Sequence, residues 1–259
     1  MSKFWGNEST VSGVPNVEIE HKDTFHQPVD PLAETGGYHW GSLSNVASIL
    51  LHGLLSHKEV HSRGLAHVDL SQSEVQLRRS HLALYRGGPS LHEFANLSWH
   101  PRNAALFRVV KTSNPDQLVV TEYSRQVLAL PRTRAIPQHA ASGVLPFAQA
   151  HHGQVEWARQ SHQKLIEQNF PEWDLRSWQG SGVDMWGEPT NTNALKKSLL
   201  QAEVLVPNRI PSEYITRFWV RSTLVPELLK GQLVIATEQG WKPRPIPVVV
   251  CPDLFFQAR

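Results

Sequence analysis

Cysteine is almost missing from this chain: Cys251 stands alone among 259 residues. A disulfide framework within the chain is therefore excluded, and so is a zinc site built on several thiolates. No apolar run approaches the roughly twenty residues needed to span a bilayer. The opening Met1-Ser2-Lys3-Phe4-Trp5-Gly6-Asn7-Glu8 has no apolar stretch of the secretory kind. Glycine-rich phosphate loops of the Walker or Rossmann form are absent, as is a Gly-x-Ser-x-Gly elbow. These absences predict a cytoplasmic protein with no membrane segment, no P-loop and no serine-hydrolase elbow.

Hydrophobic residues make up 40% and charged residues 19%, the balance of a chain with a packed core. A strong excess of either charge is also lacking. The formal net charge is +2 and the isoelectric point about 8.7, compatible with nucleic acid without requiring it. Histidine is abundant, with 14 residues, and tryptophan numbers 9. Histidines titrate close to neutral pH and add positive field as pH falls. Cys251 sits inside the apolar run Pro247-Val248-Val249-Val250 and is expected to be a buried structural thiol.

Residues 1–36 are polar, without periodicity, and are expected to form an extension ordered in part at best. Residues 37–259 are expected to form one mixed α+β domain. Tyr38-His39-Trp40 predicts a strand. Ser42 or Ser44 suits the cap of a helix carrying Val46, Ile49 and Leu50, closed by Gly53. Ser71-Gln72-Ser73-Glu74 fits a capping box before a helix through Val75, Leu77 and Arg79. Helices are further predicted over 103–111, over 123–128 with Thr121 as cap, over 154–168 and over 225–230. Strands are predicted over 117–120, at Glu203, over 215–220 and over 246–251. Residues 173–193 read as a Trp- and Gly-rich loop, and 194–200 as one or two helical turns.

Glu203 is the most telling single residue. In Ala202-Glu203-Val204-Leu205-Val206 a strand puts Ala202, Val204 and Val206 on one face and Glu203 with Leu205 on the other. A carboxylate there either sits in water at a sheet edge or lines a polar site, because burial without a partner is costly. Other motifs carry bland alternatives on residue type alone. His39 between two aromatics fits a core histidine, and Arg78-Arg79 a solvated pair at a helix C-terminus. His57 and His61 have metal-ligand spacing, but Lys58 stands where the metalloprotease motif needs Glu, so no metal is expected.

Taken together and in order, the blocks resemble the DarT-type toxins, the DNA ADP-ribosyltransferases. The resemblance rests on Tyr38-His39-Trp40 with the helix from Leu43 to Leu54, on Ser73 to Arg79, and on Leu91-His92-Glu93-Phe94 with Trp99-His100-Pro101-Arg102-Asn103. Gln201-Ala202-Glu203 and the closing Ile246 to Pro252 with Leu254-Phe255-Phe256 complete it, so that it covers about residues 37–256.

The resemblance implies an ADP-ribosyltransferase-like fold, a central split mixed β-sheet flanked by helices. It implies transfer of ADP-ribose from NAD, as co-substrate, to a base in single-stranded DNA. Glu203 and Arg79 would be catalytic. His39, Gly41, Asn45, Leu54, Arg79 and Arg102 would hold NAD, and His139, Trp99 and Arg78 the DNA. Many members of the family carry an aromatic where Ser98 stands and Met where Ala105 stands, which leaves thymine and guanine both open as the acceptor base. A monomeric toxin opposed by a macrodomain-type hydrolase is the implied setting. The alternatives are an RNA-directed ADP-ribosyltransferase, an RNA 2′-phosphotransferase-like enzyme and an inactive nucleic-acid-binding relative.

Overall fold

The computed structural model describes residues 17–25, 31–84, 87–140, 155–169 and 198–256. Eight strands form one mixed sheet in the order β1-β10-β9-β5-β2-β4-β7-β6. In chain order they are β1 (Ile19–His21), β2 (Gly37–Ser42), β4 (Phe94–Ser98), β5 (Leu118–Tyr123), β6 (Arg134–Ile136), β7 (Glu203–Pro207), β9 (Ile215–Val220) and β10 (Val248–Val250). Two short strands, β3 (Leu54–Leu55) and β8 (Arg209–Ile210), pair separately. β1, β10 and β9 run parallel, and the remaining pairs are antiparallel.

The sheet is nearly cut in two. β2 pairs with β5 along six residues, yet it meets β4 at one residue pair, Tyr38 opposite Ser98. Beyond that rung the strands part, and the gap is where the cleft described below opens. On the far side, β4 continues into a full antiparallel ladder with β7 from Phe94–Pro207 to Ser98–Glu203.

Pleating decides what each face buries. Ala202, Val204 and Val206 enter the main core with Val46 and Leu50 of α2 (Val46–His52) and with Leu229 and Leu233 of α7 (Val225–Glu238). Leu205 turns the other way, into a small cluster with Leu84, Leu91, Phe94, Ile136 and Ala140. Val75 of α4 (Ser73–His81) packs against that cluster, so α4 covers the face of β7 that bears Glu203. A third cluster joins Leu106 and Val109 of α5 (Ala104–Thr112) to Trp219, Phe255 and Phe256. Cys251 is buried within it, and burial pushes its thiol up.

Several local expectations are revised. The fold reaches back before residue 37: β1 adds to the sheet edge and α1 (Pro31–Glu34) precedes β2. Thr121 does not start a helix. Partners on both sides hold β5 extended through Tyr123, and Ser124 caps the 3₁₀ turn Arg125–Ala129 instead. Ser71 is not a cap, because its hydroxyl donates to Asp69 at 2.5 Å and accepts from Gln76 at 2.7 Å. α7 runs eight residues past the expected end at Lys230, through Gly231, because its apolar positions Leu233 and Ala236 remain buried. The expected loop over 173–193, and all but the last turn of 194–200, lie outside the described residues. Among the described residues no helix is long and apolar enough to cross a membrane.

Gly53 ends α2 with φ +80 and donates to the Ile49 carbonyl. A Cβ there would press into the Ile210 carbonyl of β8. Gly53→Ala is therefore expected to lower the unfolding free energy by about 2 kcal/mol or more, read as a drop in urea midpoint with unchanged slope.

Candidate active site

β2, β4, β7, α4 and the segment between α3 (His57–Ser62) and α4 surround a cleft of about 450 Å³. Tyr38, Ser98 and Glu203 are direct partners across three strands and share one pleat face; His39 and Gly41 lie on the opposite one. All five line the cleft, which therefore reaches through the split.

Two carboxylates are buried in the sheet, and they differ in kind. Glu122 accepts from Trp219 Nε1 at 2.9 Å and from Thr216 Oγ1 at 3.1 Å, lies 3.8 Å from Arg217, and stands apart from the cleft. Glu203 is 4% exposed and opens on the cleft. Its Oε2 receives Arg79 Nη1 at 2.8 Å, and its Oε1 receives the Ala140 backbone N–H at 3.2 Å. His139 Nε2 stands 3.8 Å from Oε1. α4 delivers Arg79 because residues 72, 75, 76 and 79 fall on one helical face and all line the cleft. Arg79 Nη2 is buried with no hydrogen-bond partner among the described residues. It is a charged donor ready for a ligand.

The histidines of the cleft are tuned toward neutrality. Burial draws His39 down to about 4, against a smaller opposing effect from its hydrogen bond to the Asn96 backbone across the split. Gly41 makes this packing possible, since a Cβ there would come within 3.1 Å of His39 Nε2. Burial also lowers His139, and Glu203 pulls it the other way. Near neutral pH both rings are acceptors as well as donors.

The structure brings together Glu203, Arg79, His39, Gly41, Asn45, Leu54 and His139. It does not bring in the other three residues singled out from the sequence. Trp99 is in the core with 1% exposure, its ring 4.9 Å from that of His162. Arg102 is buried outside the cleft, its guanidinium 4.7 Å over the Phe256 ring and 3.7 Å from Asp253, holding the C-terminal turn. Arg78 is exposed on the outer side of α4, near enough to act on His139 by charge. Asn45 lines the cleft with its amide already engaged: it donates to Val68 O and accepts from Val68 N, both at 2.9 Å. It thus fixes the cleft-wall segment, and Arg108 fixes the same segment through Leu70 O at 3.1 Å.

Ser98, expected at the pocket, lines the cleft; so do Gln76, Asn103 and Gln201, to which sequence reasoning gave no individual role in the site. Asn103 caps α5 and donates to Ser98 Oγ at 3.2 Å and His100 O at 3.0 Å. The signal was present: an Asn directly after Pro101-Arg102 and before an apolar helix is a capping residue, and caps sit where loops meet sites. Among the described residues no three histidine, cysteine or carboxylate side chains gather as a metal-binding group.

Because Glu203 and Arg79 are both buried, truncating one leaves the other unpaired. Glu203→Ala is expected to lower stability by about 3 kcal/mol, whereas Glu203→Gln, which keeps an acceptor for Arg79, is expected to cost about 1 kcal/mol; chemical denaturation measures both. His39 gives a pH prediction. Its folded value lies below its unfolded one, so the unfolded chain binds the extra proton first, and the stability His39 contributes is lost as pH falls from about 6.5 toward about 4. His39→Gln is expected to flatten the stability profile in that window and to leave it unchanged above it, as followed by thermal unfolding against pH.

A family model described as "ssDNA thymidine ADP-ribosyltransferase, DarT" matches residues 38–256. A Thermosipho africanus (strain H17ap60334) DNA ADP-ribosyl transferase–DNA ADP-ribosyl glycohydrolase fusion protein is 26% identical over 220 residues, covering 85% of this chain and 49% of its own length. The chain thus spans about half the length of that curated relative. The structure of Thermosipho africanus DarTG in complex with ADP-ribose aligns with TM-score 0.60 at 26% identity, over 85% of this chain and 50% of that one. Thermus sp. 2.9 DarT in complex with ADP-ribosylated ssDNA has the same fold, with TM-score 0.61 at 20% identity over 85% and 95% of the two chains. With the match running from the strand that carries His39 to the last aromatic turn, this chain belongs to the DarT family of ssDNA thymidine ADP-ribosyltransferases.

Proposed function

We propose that this chain transfers ADP-ribose from NAD to a thymine base of single-stranded DNA, and that Glu203 and Arg79 carry the chemistry. The observation that supports this most directly is the buried carboxylate–guanidinium pair opening on the split, with one guanidinium nitrogen left unpartnered. Breaking the bond between nicotinamide and ribose leaves an electron-poor ribose carbon. A fixed carboxylate lowers that barrier because it is already oriented and needs no reorganisation. Glu203 is fixed at two oxygens by Arg79 and by the Ala140 N–H.

Arg79 serves the acceptor. A thymine ring nitrogen becomes a nucleophile only as it loses its proton; its lone pair forms the new bond to the ribose carbon, nicotinamide leaves as the neutral base with the electrons of the broken bond, and the proton passes to solvent. An arginine side chain offers only N–H donors, so its part is to stabilise the developing negative charge of the base through Nη2. Neutral His39 has a nitrogen facing the Gly41 side of the cleft, which suits a ribose hydroxyl. Gly41 leaves room for that approach, Leu54 gives an apolar wall, and Asn45 holds the opposite wall in place. His139 borders the acceptor side beside Glu203, with Arg78 on the outer rim for a phosphate. Ser98 and Ala105, both small, line the region between and leave space for the base. Arg102 and Trp99 act from behind the cleft, by packing.

The glycohydrolase half of the Thermosipho africanus fusion protein supports a further element: a macrodomain-type hydrolase that reverses the modification and neutralises the activity. The chain would act in the cytoplasm as the toxin of such a pair.

The test is incubation with NAD and four oligonucleotides, each enriched in one base, as single strands, duplexes and RNA, read by intact mass. The expected result is one ADP-ribose added to the thymine-rich single strand of DNA, reduced by about 10²–10³ in Glu203→Gln. Modification of RNA alone, or full activity in that variant, would overturn the assignment.

A further inference from the structure

The histidines His57, His61, His67 and His92 remain unused by the reaction, although two of them line its cleft. α3 sets His57 and His61 one turn apart, with their Nε2 atoms 3.1 Å from each other. His92, from the turn Leu91–Glu93, lies on the His57 ring with centroids 4.2 Å apart, and His67 meets His61 edge-on at 5.6 Å. His57 and His67 border the cleft alongside Arg79, whose charge bears on His92. Gln76 ties the end of the row to α4 through His92 Nε2 at 2.9 Å.

Of the carboxylates around the row, Asp69 acts on His57 and His67 by charge, and each has at least one oxygen engaged elsewhere. Glu59 is taken by Arg63 at 3.0 and 2.8 Å, and Glu93 by Lys58 at 3.2 Å. Asp69 faces His57 and His67, but its Oδ1 is held by the Ser71 N–H at 2.8 Å and hydroxyl at 2.5 Å. At 3.1 Å one Nε2 donates to the other, in the direction the tautomers set. A second proton would set N–H against N–H unless an acceptor enters in front of both. Partial burial, and after it the charges of His92 and His61, draw His57 down to about 4; burial first and then Arg79 lower His92. A ligand that brings several anionic oxygens relieves both problems together.

We propose that His57 and His67, with His61 and His92 packed behind them, form a phosphate-binding wall of the cleft that takes up a proton when a phosphate group seats against it. The group is either the pyrophosphate of the dinucleotide or a backbone phosphate of the DNA. The inference rests on the functional reading above, and it adds a pH-dependent ligand contact to it.

Calorimetry in buffers of different ionisation enthalpy counts the protons. Three probes are used separately, so that no reaction takes place: ADP-ribose, a thymidine oligonucleotide, and inorganic pyrophosphate. Near about pH 6.5 one of the first two is expected to bind with close to one proton taken up, and which one does so identifies the source of the phosphate. In His57→Gln and His61→Gln that uptake is expected to vanish. Affinity should fall about tenfold near pH 6 and less than about twofold near pH 8. Binding of ADP-ribose or oligonucleotide without proton uptake, or with uptake unchanged in the variants, overturns the wall and leaves the functional reading standing. Uptake with pyrophosphate alone leaves the wall standing and removes the functional reading; binding of none of the three removes both. Stoichiometric zinc binding that blocks pyrophosphate and is lost in His57→Gln would also overturn the proposal, in favour of a metal site.

Discussion

One residue pair, Tyr38 opposite Ser98, joins the two halves of the sheet, and the active cleft depends on how little else does. On one side β2 is tied to β5 along its whole length; on the other β4 is tied to β7. Each half satisfies its own backbone, so β2 and β4 are free to part after a single rung. The parting leaves strand-edge groups that must find partners or a ligand. His39 uses one of them, through its bond to the Asn96 backbone. The result is a slot lined by backbone and short side chains and closed at one end by the rung, the place proposed for the dinucleotide.

The second constraint is electrostatic. A carboxylate at the rung end of β7 would be expensive to bury alone. Arg79 answers it from a different element, and the Ala140 N–H from a third. The Glu203–Arg79 pair, proposed to be catalytic, is therefore also a structural clasp among α4, β7 and the segment after β6. Among the described residues Arg79 Nη2 has no hydrogen-bond partner. A fully satisfied pair would be more stable and less useful, so the site keeps a donor in reserve at some cost to the fold. Glu122, fully served by Trp219 and Thr216, shows what a carboxylate kept only for structure looks like in the same sheet.

Much of this was legible in residue order. The alternation around Glu203 gave the faces of β7. The apolar spacing gave α2, α5 and the helix over 155–169, and Gly53 marked the end of α2. Misjudged boundaries share one cause. Thr121 is a good helix starter, but β2 and β9 flank it with backbone partners, and cross-strand bonding outweighs a local preference. Ser71 fits a capping box by spacing, yet Asp69 and Gln76 claim its hydroxyl first. The polar opening residues carry no period, so the pairing of Ile19–His21 with β10 could not be read from them; it rests on a partner more than two hundred residues away.

The site shows the same division. The resemblance of the ordered blocks to the DarT family nominated Glu203, Arg79, His39, Gly41, Asn45, Leu54 and His139, where residue type alone left a core histidine, a solvated arginine pair and an edge-strand glutamate equally open. Direction in space was not available from that order. Arg102 and Asn103 are neighbours, yet the helix start turns Asn103 into the cleft and sends Arg102 back onto Phe256. The chain by itself determined which side chains the reaction could use. Only the tertiary structure decided which of them meet, because burial, the unpaired guanidinium nitrogen and the parting of β2 from β4 arise from contacts between segments far apart in the chain.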